Sequence, residues 1–384
     1  MTIDFHWFIP TYGDSRYIVG GGHGLPPGRA VGSRTATIEY LGQIARSAEQ
    51  LGFVGALTPS GAWCEDAWIT TAMLSQVSER LKFLVAFRPG SVSPTLAAQM
   101  AATFQRHSGG RLLLNIVTGG EDHEQRSYGD FLNKEERYRR TDEFLTIARR
   151  LWAGETVDFQ GDFLTVEQAH LERTPDPVPP VYFGGSSETA HTVAAKHADV
   201  YLTWGEPPAQ VAEKIADVRA RAEKFGRELR FGVRIHVISR DTSEEAWAAA
   251  QHLLDAITPD EIGKIQAGLS RSTSVGQSRM QALHGGKKEN LEVYPNVWAG
   301  VGLVRGGAGT ALVGSHAEVA DRIAEYHDLG VEEFVLSGHP HIEEAYWFAE
   351  GVLPLLEARG LWARPDHLAH ERVASVPFAG AASR

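Results

Sequence analysis

The feature that most constrains this chain is a rhythm. Eight short apolar runs each end in a cluster of glycine, polar or charged residues, and a helix-like stretch follows nearly every one. The runs are Ile3–Ile9, Phe53–Leu57, Phe83–Phe87, Leu112–Val117, Val181–Phe183, Val200–Leu202, Arg230–Ile238 and Phe334–Leu336. Between them, apolar residues recur at three- and four-residue spacing: Ile38, Leu41, Ile44, Ala45, Ala48 and Leu51 before a stop at Gly52, then 144–152, 211–225 and 319–329. Strands alternating with such helices predict a parallel sheet with right-handed crossovers, and eight of them predict a (β/α)8 TIM barrel. In that fold the carboxyl ends of all strands converge on one face, where active sites lie. Eight separate clusters of loop residues therefore belong to one expected pocket.

A chain of 384 residues accommodates one such barrel with an insertion. We expect a single domain over residues 1–361, with the insertion at 241–330, followed by a C-terminal tail at 362–384. No uninterrupted apolar stretch reaches the roughly 18 residues of a membrane span, and the start MTIDFHWFIP has no secretory-signal pattern. The lone cysteine, Cys64, forms no internal disulfide and fits a reducing compartment, so a cytoplasmic location is expected. The formal net charge of −11, with no basic tract, argues against nucleic-acid binding.

Two segments exceed a minimal barrel. One is the glycine-rich stretch 17–35, expected as an extended loop after strand 1. The other lies between strands 7 and 8: a helical part from about 243 to 269, then a polar, glycine-rich stretch over 270–309 that far exceeds an ordinary loop of ~12–15 residues. Trp298, Val301, Leu303 and Val304 are apolar and Arg305 is charged. A mobile lid ordering over an anionic ligand is favoured over a disordered insertion.

The sharpest chemistry lies in strand 7, Phe231-Gly-Val-Arg-Ile-His-Val-Ile238. Side chains alternate in a strand, so Val233, Ile235 and Val237 suit the helix layer, while Arg234 and His236 point into the barrel. There an unpaired charge costs several kcal/mol. Either a carboxylate such as Glu206 or Asp66 pairs with them structurally, or they form an oxyanion site. The stretch Phe183-Gly-Gly-Ser-Ser-Glu-Thr-Ala190 follows a strand and opens a helix, a setting that suits a phosphate, although serine caps helices for purely structural reasons as well. His6 reads as a satisfied core histidine. His339 and His341 form a poor metal site because no cysteine or carboxylate at ligand spacing completes it, so no metal is expected.

Seven motifs in order carry a resemblance that covers nearly the whole chain: Trp7-Phe-Ile-Pro-Thr-Tyr-Gly-Asp14, Cys64-Glu-Asp-Ala-Trp68, Asn115-Ile-Val-Thr-Gly119, Glu136-Arg-Tyr138, Tyr182-Phe-Gly-Gly-Ser-Ser187, Tyr201-Leu-Thr-Trp-Gly-Glu-Pro-Pro208 and Trp298-Ala-Gly-Val-Gly-Leu-Val-Arg-Gly-Gly-Ala-Gly309. Together they resemble the bacterial luciferase-like flavin monooxygenases, and within them the alkanesulfonate monooxygenase branch. The resemblance implies an enzyme that receives reduced FMN (FMNH2) from a separate NAD(P)H-dependent flavin reductase, uses O2, and cleaves a carbon–sulfur bond to give sulfite and an aldehyde. It implies a homo-oligomer, dimer or tetramer, as well. Ser186, Ser187 and Tyr138, with Gly185, would hold the FMN phosphate. Asn115 and Thr118 would lie near the flavin ring, and Cys64 would sit near it or serve as a small buried side chain. Arg234, His236 and Arg305 match the cluster expected to bind sulfonate and serve the proton transfers, and Trp204 would wall the pocket.

The chain departs from that branch at the expected mouth of the pocket. His339 stands where the branch carries a tyrosine, Ala62 and Trp63 replace an arginine and a small residue before Cys64, and the strand 1 loop with Gly20-Gly-Gly-His-Gly24 is longer. Trp63, His339 and His341 offer indole and imidazole groups to hydroxyls, which points to a polyhydroxylated sulfonate such as sulfoquinovose. A simple alkanesulfonate is the competing substrate. A deazaflavin-dependent oxidoreductase and a non-catalytic flavin or sulfonate binder complete the set of readings.

Overall fold

The computed structural model describes residues 2–18 and 33–368. Eight parallel strands close on themselves: β1 (Asp4–Phe8), β2 (Gly55–Thr58), β3 (Lys82–Phe87), β4 (Leu112–Ile116), β5 (Val181–Phe183), β6 (Val200–Trp204), β7 (Arg230–Arg240) and β8 (Glu333–Ser337). Each pairs with the next, and β8 pairs with β1, so the sheet is the expected (β/α)8 barrel. Alternation sorts the side chains. Phe5, Trp7, Phe83, Val85, Val233, Ile235, Phe334 and Leu336 face the helices, while Phe8, Leu57, Leu84, Leu113, Tyr182, Leu202 and Val335 fill the interior.

The helix Ile38–Leu51 shows why the boundaries were readable. Thr37 caps its start by accepting from the Tyr40 amide, and Gly52 ends it at φ 94°, a left-handed conformation that glycine adopts without a Cβ clash. The helix Lys134–Trp152 contains the expected 144–152, and Pro208–Glu223 and His316–Asp328 match 211–225 and 319–329 except for the last one or two residues. A two-stranded hairpin, Val157–Gln160 with Thr165–Ala169, lies outside the barrel sheet and was not anticipated.

Between β7 and β8 the expected helical part splits into Ser243–Asp255 and Pro259–Leu269. The stretch 270–309, expected as a lid, carries secondary structure of its own. It holds a helix, Val275–His284, capped by Ser274 and ended by Gly285, and a short antiparallel pair, Glu292–Tyr294 with Val297–Trp298. A further strand, Ala311–Ser315, pairs with the outer half of β7 from His236 onward. Trp298, Val301, Leu303 and Val304 are buried in a second core with Leu253, Leu254, Ile262 and Ile265, and this shared core supplies the order that local propensity lacked. The Gly20–Gly24 part of the strand 1 loop, and His370 and Arg372 of the tail, lie outside the described residues. Of the tail's first residues, Trp362 and Leu368 are buried against the barrel.

Candidate active site

At the carboxyl end of the barrel, positive charge gathers around one ring. The Arg234 guanidinium lies 4.8 Å from the centre of the Phe8 ring and that of Arg305 lies 5.7 Å from it. Both arginines are buried. Arg234 donates to the Ile235 carbonyl at 3.0 Å and to Ser337 Oγ at 2.8 Å, and Arg305 donates to the Tyr12 hydroxyl. Neither meets a carboxylate among the described residues. The two acids offered by the sequence are committed elsewhere: Glu206 pairs with Lys214 at 2.7 Å and with Arg279, while Asp66 caps the helix Ala67–Leu74. The structural ion-pair reading of Arg234 is therefore corrected. Burial first, and Arg305 second, push the Arg234 pKa down to about 9, which still leaves it charged near neutrality.

His236 stands beside this pair with both ring nitrogens engaged. Nδ1 faces Ser337 Oγ at 2.7 Å and Nε2 faces the Ala308 carbonyl at 3.2 Å. A carbonyl only accepts, so Nε2 carries the proton and Nδ1 accepts from the serine hydroxyl. Arg234, Ser337 and His236 thus form one directed chain. Burial, then Arg234 and Arg305, keep the imidazole neutral by lowering its pKa well below the usual histidine value.

Arg234 also lines a cavity that runs to the opposite side of the barrel mouth. Its walls include Leu57, Asn115, Thr118, Tyr138, Gly184, Gly185, Ser186, Leu202, Trp204, Lys134 and Gln277. At one end lies the turn into the helix Glu188–His197. Gly185 sits at φ 140°, and a Cβ there would come within 2.7 Å of Ala190 and 3.2 Å of the Tyr138 hydroxyl, so only glycine leaves the turn open. Ser187 caps the helix by accepting from the Ala190 amide, the structural role that serine often takes, and does not line the cavity. Ser186 does. Gly276, at the start of the helix Val275–His284, lies against Trp204 and near Ser186. Two helix N-termini and Lys134 together make this end receptive to a phosphate dianion.

Cys64 and Trp63 are at the mouth but not among the cavity walls. The Cys64 thiol faces the carbonyls of Gly61 at 3.5 Å and Pro59 at 3.7 Å, and burial pushes its pKa up to about 11. The Trp63 ring lies 5.2 Å from that of Tyr12, with its indole N–H buried and unpartnered. His339 stacks on His236 at 5.7 Å, and neither of its ring nitrogens has a partner. His341 lies 5.2 Å from His339 and points Nδ1 at Asp14 Oδ1, 2.8 Å away. Asp14 corrects the argument that no carboxylate joins the two histidines; it arrives from the β1 loop, too far along the chain for ligand spacing to reveal.

Sequence reasoning missed Asp14, Tyr12, Phe8, Lys134 and Gly276 as site residues. The first three stand in the quoted motif Trp7 to Asp14, where alternation already turns Phe8 inward with His6. Nothing local marked Lys134 or Gly276, which reach the cavity through packing. His6 is a core histidine as expected but only half satisfied: its Nε2 lies 3.0 Å from Glu333, while its Nδ1 is buried with no partner among the described residues.

Residues 3–333 match the family described as luciferase-like monooxygenase. Among solved structures, the chain is similar to a riboflavin lyase crystallised with modified FMN and riboflavin, at 20% identity and a TM-score of 0.79, covering 95% of this chain and 93% of that one. It is similar to DmoA from Hyphomicrobium sulfonivorans, at 20% identity and a TM-score of 0.77 over 94% of this chain and 89% of that one. An EDTA monooxygenase from Chelativorans sp. BNC1 matches at 18% identity and a TM-score of 0.75, covering 95% of each chain.

Proposed function

The chain belongs to the luciferase-like monooxygenase family, and from that membership we propose that it is a two-component, flavin-dependent organosulfonate monooxygenase. It takes reduced FMN from a separate NAD(P)H-dependent flavin reductase and, with O2, cleaves a carbon–sulfur bond to release sulfite and an aldehyde. The observation that carries the reading is the pair of buried guanidinium groups, Arg234 and Arg305, set around Phe8 with no carboxylate among the described residues to neutralise them. A sulfonate is a tetrahedral monoanion whose oxygens suit two converging guanidinium groups. Each charge-assisted hydrogen bond contributes roughly 1.5–3 kcal/mol.

The residues fit a flavin mononucleotide. The open turn at Gly185, the Ser186 hydroxyl, the Tyr138 hydroxyl and the helix N-terminus suit its phosphate, and Asn115, Thr118 and Trp204 bound the space for its ring. Bound there, reduced flavin supplies the electrons that activate dioxygen. The protein's own residues hold the sulfonate against that space, since Arg234 lines the cavity and belongs to the cationic cluster at once. Ser337 and His236 keep the Arg234 side chain in place. The segment 270–309 serves as a lid: it brings Arg305 onto Tyr12 and sets the Gly307 amide on Gln277, which shields the site from water.

For the substrate we favour a sugar sulfonate such as sulfoquinovose over a simple alkanesulfonate. Trp63 Nε1, Thr58 Oγ1 and both nitrogens of His339 are buried polar atoms without partners among the described residues. An alkyl chain would leave them unsatisfied, whereas hydroxyl groups would bond them. The subunits are expected to associate, since Ile69, Met73 and Leu96 are exposed apolar side chains on two helices.

Sulfite release under air, with a flavin reductase, NADH and FMN, tests the proposal by comparing sulfoquinovose, octanesulfonate and methanesulfonate. Sulfite from the sugar alone supports the full reading, and sulfite from alkanesulfonates alone replaces its substrate. Flavin binding without sulfite from any of the three defeats desulfonation of these substrates and favours a binder, and turnover with a reduced deazaflavin would move the chain to another reaction class.

A further inference from the structure

We infer that Asp14 and His341 form a carboxylate–imidazole dyad at the top of the barrel, in which His341 accepts the proton released by carbon–sulfur cleavage and Asp14 is its positioning residue. The inference rests on the proposed desulfonation. Conversion of a primary sulfonate, O2 and a dihydroflavin into aldehyde, sulfite, oxidised flavin and water releases one proton. The carbon–sulfur electron pair leaves with sulfite, and the pair freed by the departing proton completes the carbonyl double bond. A base must stand beside the sulfonate-bearing carbon.

Three imidazoles stand near Arg234 and Arg305, and their surroundings separate them. His236 has both nitrogens engaged by Ser337 and the Ala308 carbonyl, which leaves no lone pair for a substrate. His339 has free nitrogens, but the Asp14 carboxylate, though within 4.8 Å of it, is hydrogen-bonded to His341 instead, so no carboxylate fixes the His339 tautomer. His341 differs on both counts. Its Nδ1 lies 2.8 Å from Asp14 Oδ1, its Nε2 is buried without a partner, and its ring lies 5.6 Å from that of Phe8, the ring around which both arginines gather. An ionised Asp14 accepts only, so Nδ1 holds the proton and Nε2 keeps a free lone pair. When Nε2 takes up a second proton, the resulting imidazolium faces a carboxylate.

Asp14 is firmly held for that role, with the Arg34 guanidinium 3.9 Å from its Oδ2. Oδ1 accepts the Ser15 amide at 2.8 Å besides the His341 ring, and Oδ2 accepts the His341 amide at 2.8 Å and the Tyr40 hydroxyl at 2.5 Å. Those four contacts fill the acceptor sites of a carboxylate, so a metal ion held with His339 and His341 would have to displace one of them. The Trp7 indole donates to the His341 carbonyl at 3.0 Å, which fixes the backbone that carries the ring.

The test compares D14N and H341Q with the full-length wild type, using reductase, FMN and the best sulfonate. The dyad predicts that kcat falls by about 10²–10⁴-fold in both, while KM for the sulfonate changes by less than about threefold. Unchanged thermal midpoints establish that both variants fold. Nitrogen-15 spectra of histidine-labelled enzyme report the tautomer independently of turnover: His341 is protonated on Nδ1 in the wild type and loses that preference in D14N. Wild-type kcat in H341Q, equal losses of kcat and sulfonate affinity, or a His341 protonated on Nε2 would each overturn the dyad. A wild type that releases no sulfite from any sulfonate defeats the parent reading and the dyad with it; active variants beside an active wild type defeat the dyad alone.

Discussion

The two ends of this barrel treat buried charge in opposite ways. At the amino-terminal end, Glu333 accepts from the Tyr182 hydroxyl at 2.7 Å and meets His6 at 3.0 Å and Arg230 at 2.8 Å, while Arg230 also reaches Asp4 and Glu332. Charges of both signs are present and matched. At the carboxyl-terminal end, Arg234 and Arg305 share their space with His236, His339 and His341, and the one carboxylate among them in the described residues, Asp14, is turned toward His341. The matched end holds the strands together. The unmatched end is held in place by the rest of the fold and is suited to an anion from outside.

The sharpest way to break this contrast is to remove the unmatched charge. Arg234→Ala should lower sulfite release by about 10²–10⁴-fold, the value of the charge-assisted bonds it offers, with the thermal midpoint unchanged or raised because a buried cation without a counter-ion is gone. Unfolding of this variant would show that Arg234 is a structural element and that the two ends do not differ. The opposite outcome is expected at the other end. Glu333→Gln should destabilise the fold by on the order of 3 kcal/mol in denaturant titrations, while the folded fraction keeps its kcat.

Acid sharpens the same contrast. Burial would raise the Glu333 carboxyl pKa, but His6, Arg230 and Tyr182 hold it below the usual carboxylate value. Its stabilising contribution is therefore present above the unfolded carboxylate pKa and disappears only as the pH falls through the lowered folded value. Burial, and then the neighbouring His341 and Arg305, instead hold His339 neutral, its pKa well below that of an unfolded histidine. Its share of stability is complete above about pH 6.5 and falls by up to roughly 1.4 kcal/mol for each pH unit below that. The difference in thermal midpoint between wild type and His339→Gln should therefore change between pH 7 and pH 5; a constant difference would place His339 outside the charged cluster. The smallest effect belongs to Cys64. With a thiol protonated at neutral pH and facing backbone carbonyls, Cys64→Ala should change kcat by no more than about threefold, and a larger loss would bring the thiol into the reaction.

Much of this was legible in the chain. The strand runs and helix caps are local, and alternation along β7 was enough to turn Arg234 and His236 inward and Val233, Ile235 and Val237 outward. The open turn at Gly184, Gly185 and Ser186 was legible for the same reason, because its backbone geometry is imposed by neighbouring residues. The partners of those residues were not legible. Glu206 and Asp66 were reasonable candidates for Arg234 by residue type, and only the positions of Lys214, Arg279 and the helix Ala67–Leu74 show that both are taken. The segment 270–309 has weak local propensity and takes its order from a core shared with helices some tens of residues earlier in the chain.

The sequence by itself determined the barrel, the face on which its chemistry lies, and the inward set of side chains, because period, capping and alternation are short-range consequences of backbone geometry. Only the tertiary structure decided which of those inward charges are neutralised. That depends on distances between residues such as Asp14 and His341, 327 positions apart along the chain, and barrel closure sets those distances through the pairing of its last strand with its first.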